Sequence, residues 1–251
     1  LKPIYSSIPI SLCKYALLNG KVNHLKLYVY FKQISSGHVK YETTGVSAWS
    51  SDIEMSEKWT RGAVKWLIKK RWITVNTKKK YYRIISYKQL CKKLKLEPLA
   101  AVLFENDDYT DFKQFLSATL ITDCLKIKKL MNRKNQSVSR MADTNMNWHF
   151  YSKDFHPLAI SYIAKRLGIC NSRANKIKKW AIESKMVFVK KNIPFLINSQ
   201  GKKIGIEHLQ AIKLSSPLIA GRLRTNGKYI KIVESDLLQS FIITRKKHYK
   251  H

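Results

Sequence analysis

The run Ser172-Arg173-Ala174-Asn175-Lys176-Ile177-Lys178-Lys179 concentrates side chains that can address the edges of nucleic-acid bases. An Asn amide pairs bidentately with adenine, and Arg or Lys with guanine, so Ser172, Arg173, Asn175, Lys176 and Lys179 form a candidate base-reading set. Lys178, Lys190, Lys191, Arg222, Arg224 and Lys228 are better suited to holding phosphate oxygens. An earlier set, Lys58, Arg61, Lys65 and Lys69 followed by Lys78, Lys79 and Lys80, is read the same way. Between Ser56 and Leu96 there are fourteen Lys or Arg and one Glu, a local net charge of +13. The whole chain carries 48 basic and 16 acidic residues, a formal net charge of +32. Such a density repels itself in a compact state unless a polyanion neutralises it. Tyr81 and Tyr82, beside Arg83, could stack on bases or sugars, although tyrosines in strands more commonly serve packing.

Other chemistries find less support. Glu105, Asp107, Asp108 and Asp111 could hold Mg²⁺ for nuclease work, but acids at a helix start are the simpler account. There is no His-x-His pair, phosphate-cradling glycine loop or Ser/His/Asp arrangement, and His156 before Pro157 reads as a capping or surface residue. Cys13, Cys91, Cys124 and Cys170 show no CxxC spacing, which argues against both a zinc site and a disulfide framework. The expectation is a protein without enzymatic activity, cofactor or metal, in a reducing, cytoplasmic, nucleoid-associated setting. No apolar run approaches the roughly 20 residues of a spanning helix, Leu99 to Phe104 being the longest, so no membrane partner is expected. Lys14 interrupts the only apolar stretch near the start, so no secretory signal is read.

These side chains need elements to hold them. With 251 residues, 45% of them hydrophobic, the chain suits two units of roughly 100 to 130 residues. Residues 22 to 34 read as a buried helix or strand, and 35 to 55 as a connection with room for a short helix. From Ser56, a good N-cap, the spacing predicts a helix with Trp59, Ala63, Trp66 and Leu67 on one face and the cationic stripe on the other. Two β-rich runs separated by Thr77 to Lys80 predict a hairpin with a basic tip, followed by helical spacing over YKQLCKKLKL. A long helix is expected from Asp108 to about Met131, bridging the halves, and a polar linker over 132 to 147. Asn226-Gly227 predicts a type I′ hairpin, and YIKIVESDLLQSFI after it parallels YYRIISYKQLCKKL after the first hairpin.

In Tyr162 to Ile177, the apolar residues Ile163, Leu167, Ile169, Ala174 and Ile177 are spaced for two short helices that cross steeply. Ala164 is small at the contact, and Gly168 stands where the chain leaves the first helix. This stretch resembles the helix-turn-helix family, and the strand and hairpin that follow make Pro157 to Val233 similar to its winged-helix branch. The resemblance implies a second helix that enters the major groove of double-stranded DNA and a wing on the flanking backbone. Two such units in one chain of this size are similar to plasmid replication initiators.

The reading is therefore an α+β, helix-rich fold: a winged-helix-like unit over 1–104, a connecting helix and linker over 105–147, and a winged-helix unit with a basic tail over 148–251. The expected function is duplex DNA binding, in replication initiation of a mobile element or in transcriptional regulation. A structural RNA-binding role is the alternative from another class.

Overall fold

In the computed structural model of the chain, the described residues are 6–35, 37–41, 45–97, 100–104, 109–139, 155–192, 195–198, 200, 203–204, 222–225, 229–232 and 235–246. At 6, 132–139, 195–198, 203–204, 222–225, 229–232 and 245–246 the description is of the backbone. The fold is mixed α+β, with small antiparallel sheets.

Strand β1 (Ser6–Pro9) leads into helices α1 (Ile10–Leu18) and α2 (Val22–Ile34). The stretch that suited helix or strand equally is α2. Its residues 25 to 31 are all buried, because a helix that is apolar on most sides must be covered on most sides. The expected connection holds two elements, β2 (His38–Lys40) and α3 (Gly45–Asp52). Next come α4 (Glu57–Lys69), β3 (Ile73–Asn76), β4 (Tyr81–Ile84) and α5 (Tyr87–Lys93). Ser56 caps α4 by accepting the Trp59 N–H, and Ser86 with Gln89 forms a capping box on α5. The sheet order is β2-β4-β3, antiparallel throughout, with residues 77–80 at the hairpin tip.

After β5 (Ala100–Phe104), helix α6 (Phe112–Ser139) opens the second half. It begins later than expected, so Asp111 precedes the first turn, its carbonyl accepting the Phe115 N–H. It also runs on into the stretch expected to be linker. Strand β6 (His156–Pro157), α7 (Ile160–Leu167), α8 (Asn171–Glu183) and β7 (Val187–Lys190) follow. His156 thus lies in a strand, paired with Leu238, rather than at a helix start.

Four strands then form a sheet of their own, β8 (Phe195–Asn198), β9 (Lys203–Ile204), β10 (Arg222–Thr225) and β11 (Tyr229–Ile232), in the order β10-β11-β8-β9. Strand β12 (Leu237–Ser240) returns between β6 and β7, and β13 (Thr244–Lys246) ends the described chain. Two expectations change here. The β10–β11 register pairs Thr225 with Tyr229, leaving three residues between the strands instead of the two of a type I′ turn; those residues lie outside the described ones. Residues 237 to 240 are a strand, so the supposed parallel with the helix after the first hairpin fails.

A stricter repeat replaces it. Helix, strand, helix, helix, strand, strand occurs as α2-β2-α3-α4-β3-β4 and again as α6-β6-α7-α8-β7-β12. The sheets have equivalent orders, β2-β4-β3 and β6-β12-β7. Helices α4 and α8 both have 13 residues and begin 114 positions apart, at 57 and 171, as do β3 and β7, at 73 and 187. The second copy differs in its hairpin, where 46 residues, including the four-stranded sheet, lie between β7 and β12.

The halves share one core. A contiguous buried cluster runs from Ile8 through Tyr28, Phe31 and Trp72 to Leu116, Ile121, Ile163, Ile177 and Leu238. Helix α6 touches α1 and α2 as well as α7 and α8. In a fourth sheet, β1-β5-β13, β5 pairs with β1 on one side and with β13 on the other.

Candidate nucleic-acid interface

Helix α7 ends because Gly168 turns left-handed, at φ 71°, and the Ile169 N–H closes back on the Ala164 carbonyl at 3.0 Å. Three residues later α8 begins, with Cys170 at its N-cap. Ile163, Ala164 and Leu167 of α7 and Ala174, Ile177 and Ala181 of α8 are buried, as their spacing predicts. Lys113, near the start of α6, lies over the Trp180 ring at 3.5 Å and ties α8 to α6.

The outer face of α8 presents Ser172, Arg173, Asn175, Lys176 and Lys179, all exposed. Two neighbouring cations are committed elsewhere. The Arg173 guanidinium donates to the carbonyls of Leu17 and Leu18 at 3.3 and 2.6 Å, satisfying orphan acceptors at the end of α1. Its role here is to dock the halves, which corrects its assignment as a free base reader. Lys178 is buried, its amine 2.5 Å from the Asp236 carboxylate, so it is not a phosphate contact but an internal tie to the segment before β12. Position 178 lies one turn from Ala174 and Ala181, the inner face that the sequence reading assigned correctly to its apolar residues only. Ser172 also bonds the Cys170 thiol at 3.2 Å, which, with the Arg173 backbone N–H, lowers the thiol pKa from its ordinary value.

Lys190 and Lys191 are exposed at the end of β7. Arg222 and Arg224 lie in β10, but their side chains fall outside the described residues, as does Lys228. The wing expected around residues 226–228 therefore also falls outside the description.

In the first half, Lys58, Arg61, Lys65 and Lys69 are exposed along α4, and Lys78, Lys79 and Lys80 at the hairpin tip. Arg61 pairs with Glu57 at 3.0 Å, an exposed i,i+4 contact of little energetic weight that leaves the stripe open. Helix α3, in the stretch read as a connection with room for a short helix, supplies the partner helix of α4. It ends at Glu54 in the left-handed region, φ 48°, with the Met55 N–H on the Ser50 carbonyl, the bond pattern found at Gly168. Lys21 lies over Trp66 at 5.1 Å, as Lys113 lies over Trp180.

Trp59 is the principal correction on this helix: expected on the inner face, it is 60% exposed. At about 100° per residue, Thr60 falls between Ala63 and Val64 around the helix and takes the inward place, fully buried, with its hydroxyl on the Ser56 carbonyl at 3.1 Å. Gly62, which the sequence reading did not single out, lies at the centre of the exposed face, and a Cβ there would meet nothing within 4 Å. Glycine in mid-helix costs about 1 kcal/mol relative to alanine, and no internal contact accounts for it. Tyr82 is core, packed on Tyr41 and Trp49, whereas Tyr81 is half-buried and meets His38 edge-on.

Among the described residues no cluster of three His, Cys, Asp or Glu could hold a metal, and no helix is long and apolar enough to cross a membrane. Of the acidic candidates, Glu105, Asp107 and Asp108 lie outside the described residues. Compared with protein-family models, curated proteins and solved structures, the chain matches none.

Proposed function

We propose that the chain is a double-stranded DNA-binding protein made of two winged-helix units, the second reading a site through α8 and the first holding adjacent DNA. The observation that carries this reading is the repeated order of helix, strand, helix, helix, strand, strand with a cationic outer face on the last helix of each copy. In that arrangement the last helix is the groove-facing element and the strand pair after it flanks the backbone. Ser172, Asn175, Lys176 and Lys179 are the base-reading side chains, and Lys58, Arg61, Lys65, Lys69, Lys78 to Lys80, Lys190 and Lys191 the phosphate contacts. Use of such a protein in starting replication of a mobile element or in regulating transcription follows from the same contacts.

Selection of bound sequences from random duplexes, followed by titration at several salt concentrations, tests the reading. Six or more phosphate contacts predict a slope of log K against log salt of about −5 or steeper. Asn175→Ala with Lys176→Ala is expected to relax sequence preference, by roughly 1–3 kcal/mol of discrimination per lost pair. Equal loss on every sequence, or a preference for structured RNA in competition, would count against it.

A further inference from the structure

Apart from the insertion in the second hairpin, the two copies of the repeat differ on the outer faces of their last helices. With the 114-residue offset, Lys58, Trp59, Arg61, Gly62 and Lys65 of α4 fall on Ser172, Arg173, Asn175, Lys176 and Lys179 of α8. Buried positions correspond: Thr60, Ala63, Val64 and Leu67 fall on Ala174, Ile177, Lys178 and Ala181, and all eight are buried. Position 173 in α8 spends its side chain on α1, whereas its counterpart in α4 is a tryptophan 60% exposed. Among the described residues no aromatic ring or cation covers that indole. One turn further along, Gly62 removes the side chain from the middle of the cationic face, where open space would accept one.

A large apolar ring held in water and a bare patch of helix backbone beside it both lack an internal purpose. Both suit a partner that comes very close to the helix and offers flat apolar surface. Lys58, Arg61, Lys65 and Lys69 around them require that partner to be anionic. We propose that α4 is itself a groove-entering helix, with Gly62 letting its backbone approach the floor of the major groove of duplex DNA and Trp59 packing on a thymine methyl group. The methyl group is the apolar feature that the major groove displays, and apolar side chains read it. This rests on the DNA-binding reading and changes one part of it: the first unit reads sequence as well as holding backbone.

The test uses the full chain and a duplex chosen by selection. Trp59→Ala is expected to weaken binding roughly tenfold, and Gly62→Leu by a similar factor through simple obstruction. Replacing thymine by deoxyuridine across the site should weaken the parent protein several-fold and leave Trp59→Ala almost unaffected. Gly62→Ala serves as the folding control. With nothing in its way it should raise the melting temperature of the free protein by roughly 2–4 °C, and Gly62→Leu should melt no lower than the parent. If Trp59→Ala and Gly62→Leu bind as the parent does while Asn175→Ala with Lys176→Ala loses sequence preference, this proposal is overturned and the broader reading stands. A parent protein that binds no duplex overturns both.

Discussion

Lys178 ties α8 to the segment before β12 through Asp236. Its amine is buried and its carboxylate partner, Asp236, is half-open to solvent, so removing the lysine leaves an acceptor that water reaches only in part. Lys178→Met is expected to cost about 2 kcal/mol in urea unfolding, and Lys178→Met with Asp236→Ala less than that single change. A simple sum of the single effects in that double variant would show that the two groups do not interact. Arg173 is legible in the sequence as a cation at the start of α8, but its use depends on α1 lying 155 residues earlier, which no local spacing reveals. The same holds for Trp59: a run of apolar letters at threes and fours does not say whether Trp59 or Thr60 faces inward, and the core filled that place with the smaller residue.

At the scale of elements, the endings of helices explain what sequence reasoning found and what it missed. Gly168 marks the end of α7 plainly because glycine is the residue for which left-handed geometry is cheap. Helix α3 ends the same way at Glu54, and α4 and α8 are followed by Arg71 at φ 53° and Lys185 at φ 59°. Non-glycine residues there give no signal, so the first two-helix motif stayed hidden while the second was evident. Lys185→Gly, at an exposed site, is expected to stabilise the chain by up to about 1 kcal/mol, read as a higher melting temperature. The hairpin at Asn226-Gly227 falls where the sequence puts it, between β10 and β11, but the strand that completes the β6-β12-β7 sheet lies beyond it, because β8 to β11 form an insertion with a sheet of its own.

The packing between α2 and α4 has a pH signature. His24 meets Trp66 with ring centroids 4.3 Å apart, and burial, then the nearby Lys21 charge, lowers its pKa below the ordinary histidine value. The unfolded chain therefore binds the proton more tightly than the folded one. Stability should be full above the ordinary value of about 6.5 and fall as the pH drops through it. His24→Gln is expected to flatten that part of the stability profile between pH 7 and 5.5; an unchanged profile would remove His24 as its source.

Across the whole molecule, the net charge of +32 sets the conditions under which the single core is stable. Self-repulsion among cations is screened within about 10 Å at 0.1 M salt, so the melting temperature should climb with ionic strength, and more steeply with a polyanion such as heparin. Composition made this charge legible at once, and the alternation of helical and β-rich spacing made the mixed α+β class legible. The bridging of the halves by α6 was legible in its helical spacing, but the pairing of β13 with β5 was not, because both strands are short and the pairing spans about 140 residues of chain.

That pairing also gives the protein an order of assembly. On the ribosome, β1 and β5 emerge early, but the far edge of β5 has no neighbour until Thr244 to Lys246 are released. At translation rates of roughly 5–20 residues per second, the nascent amino-terminal half waits on the order of ten seconds with that edge uncovered, a window in which a chaperone would find it.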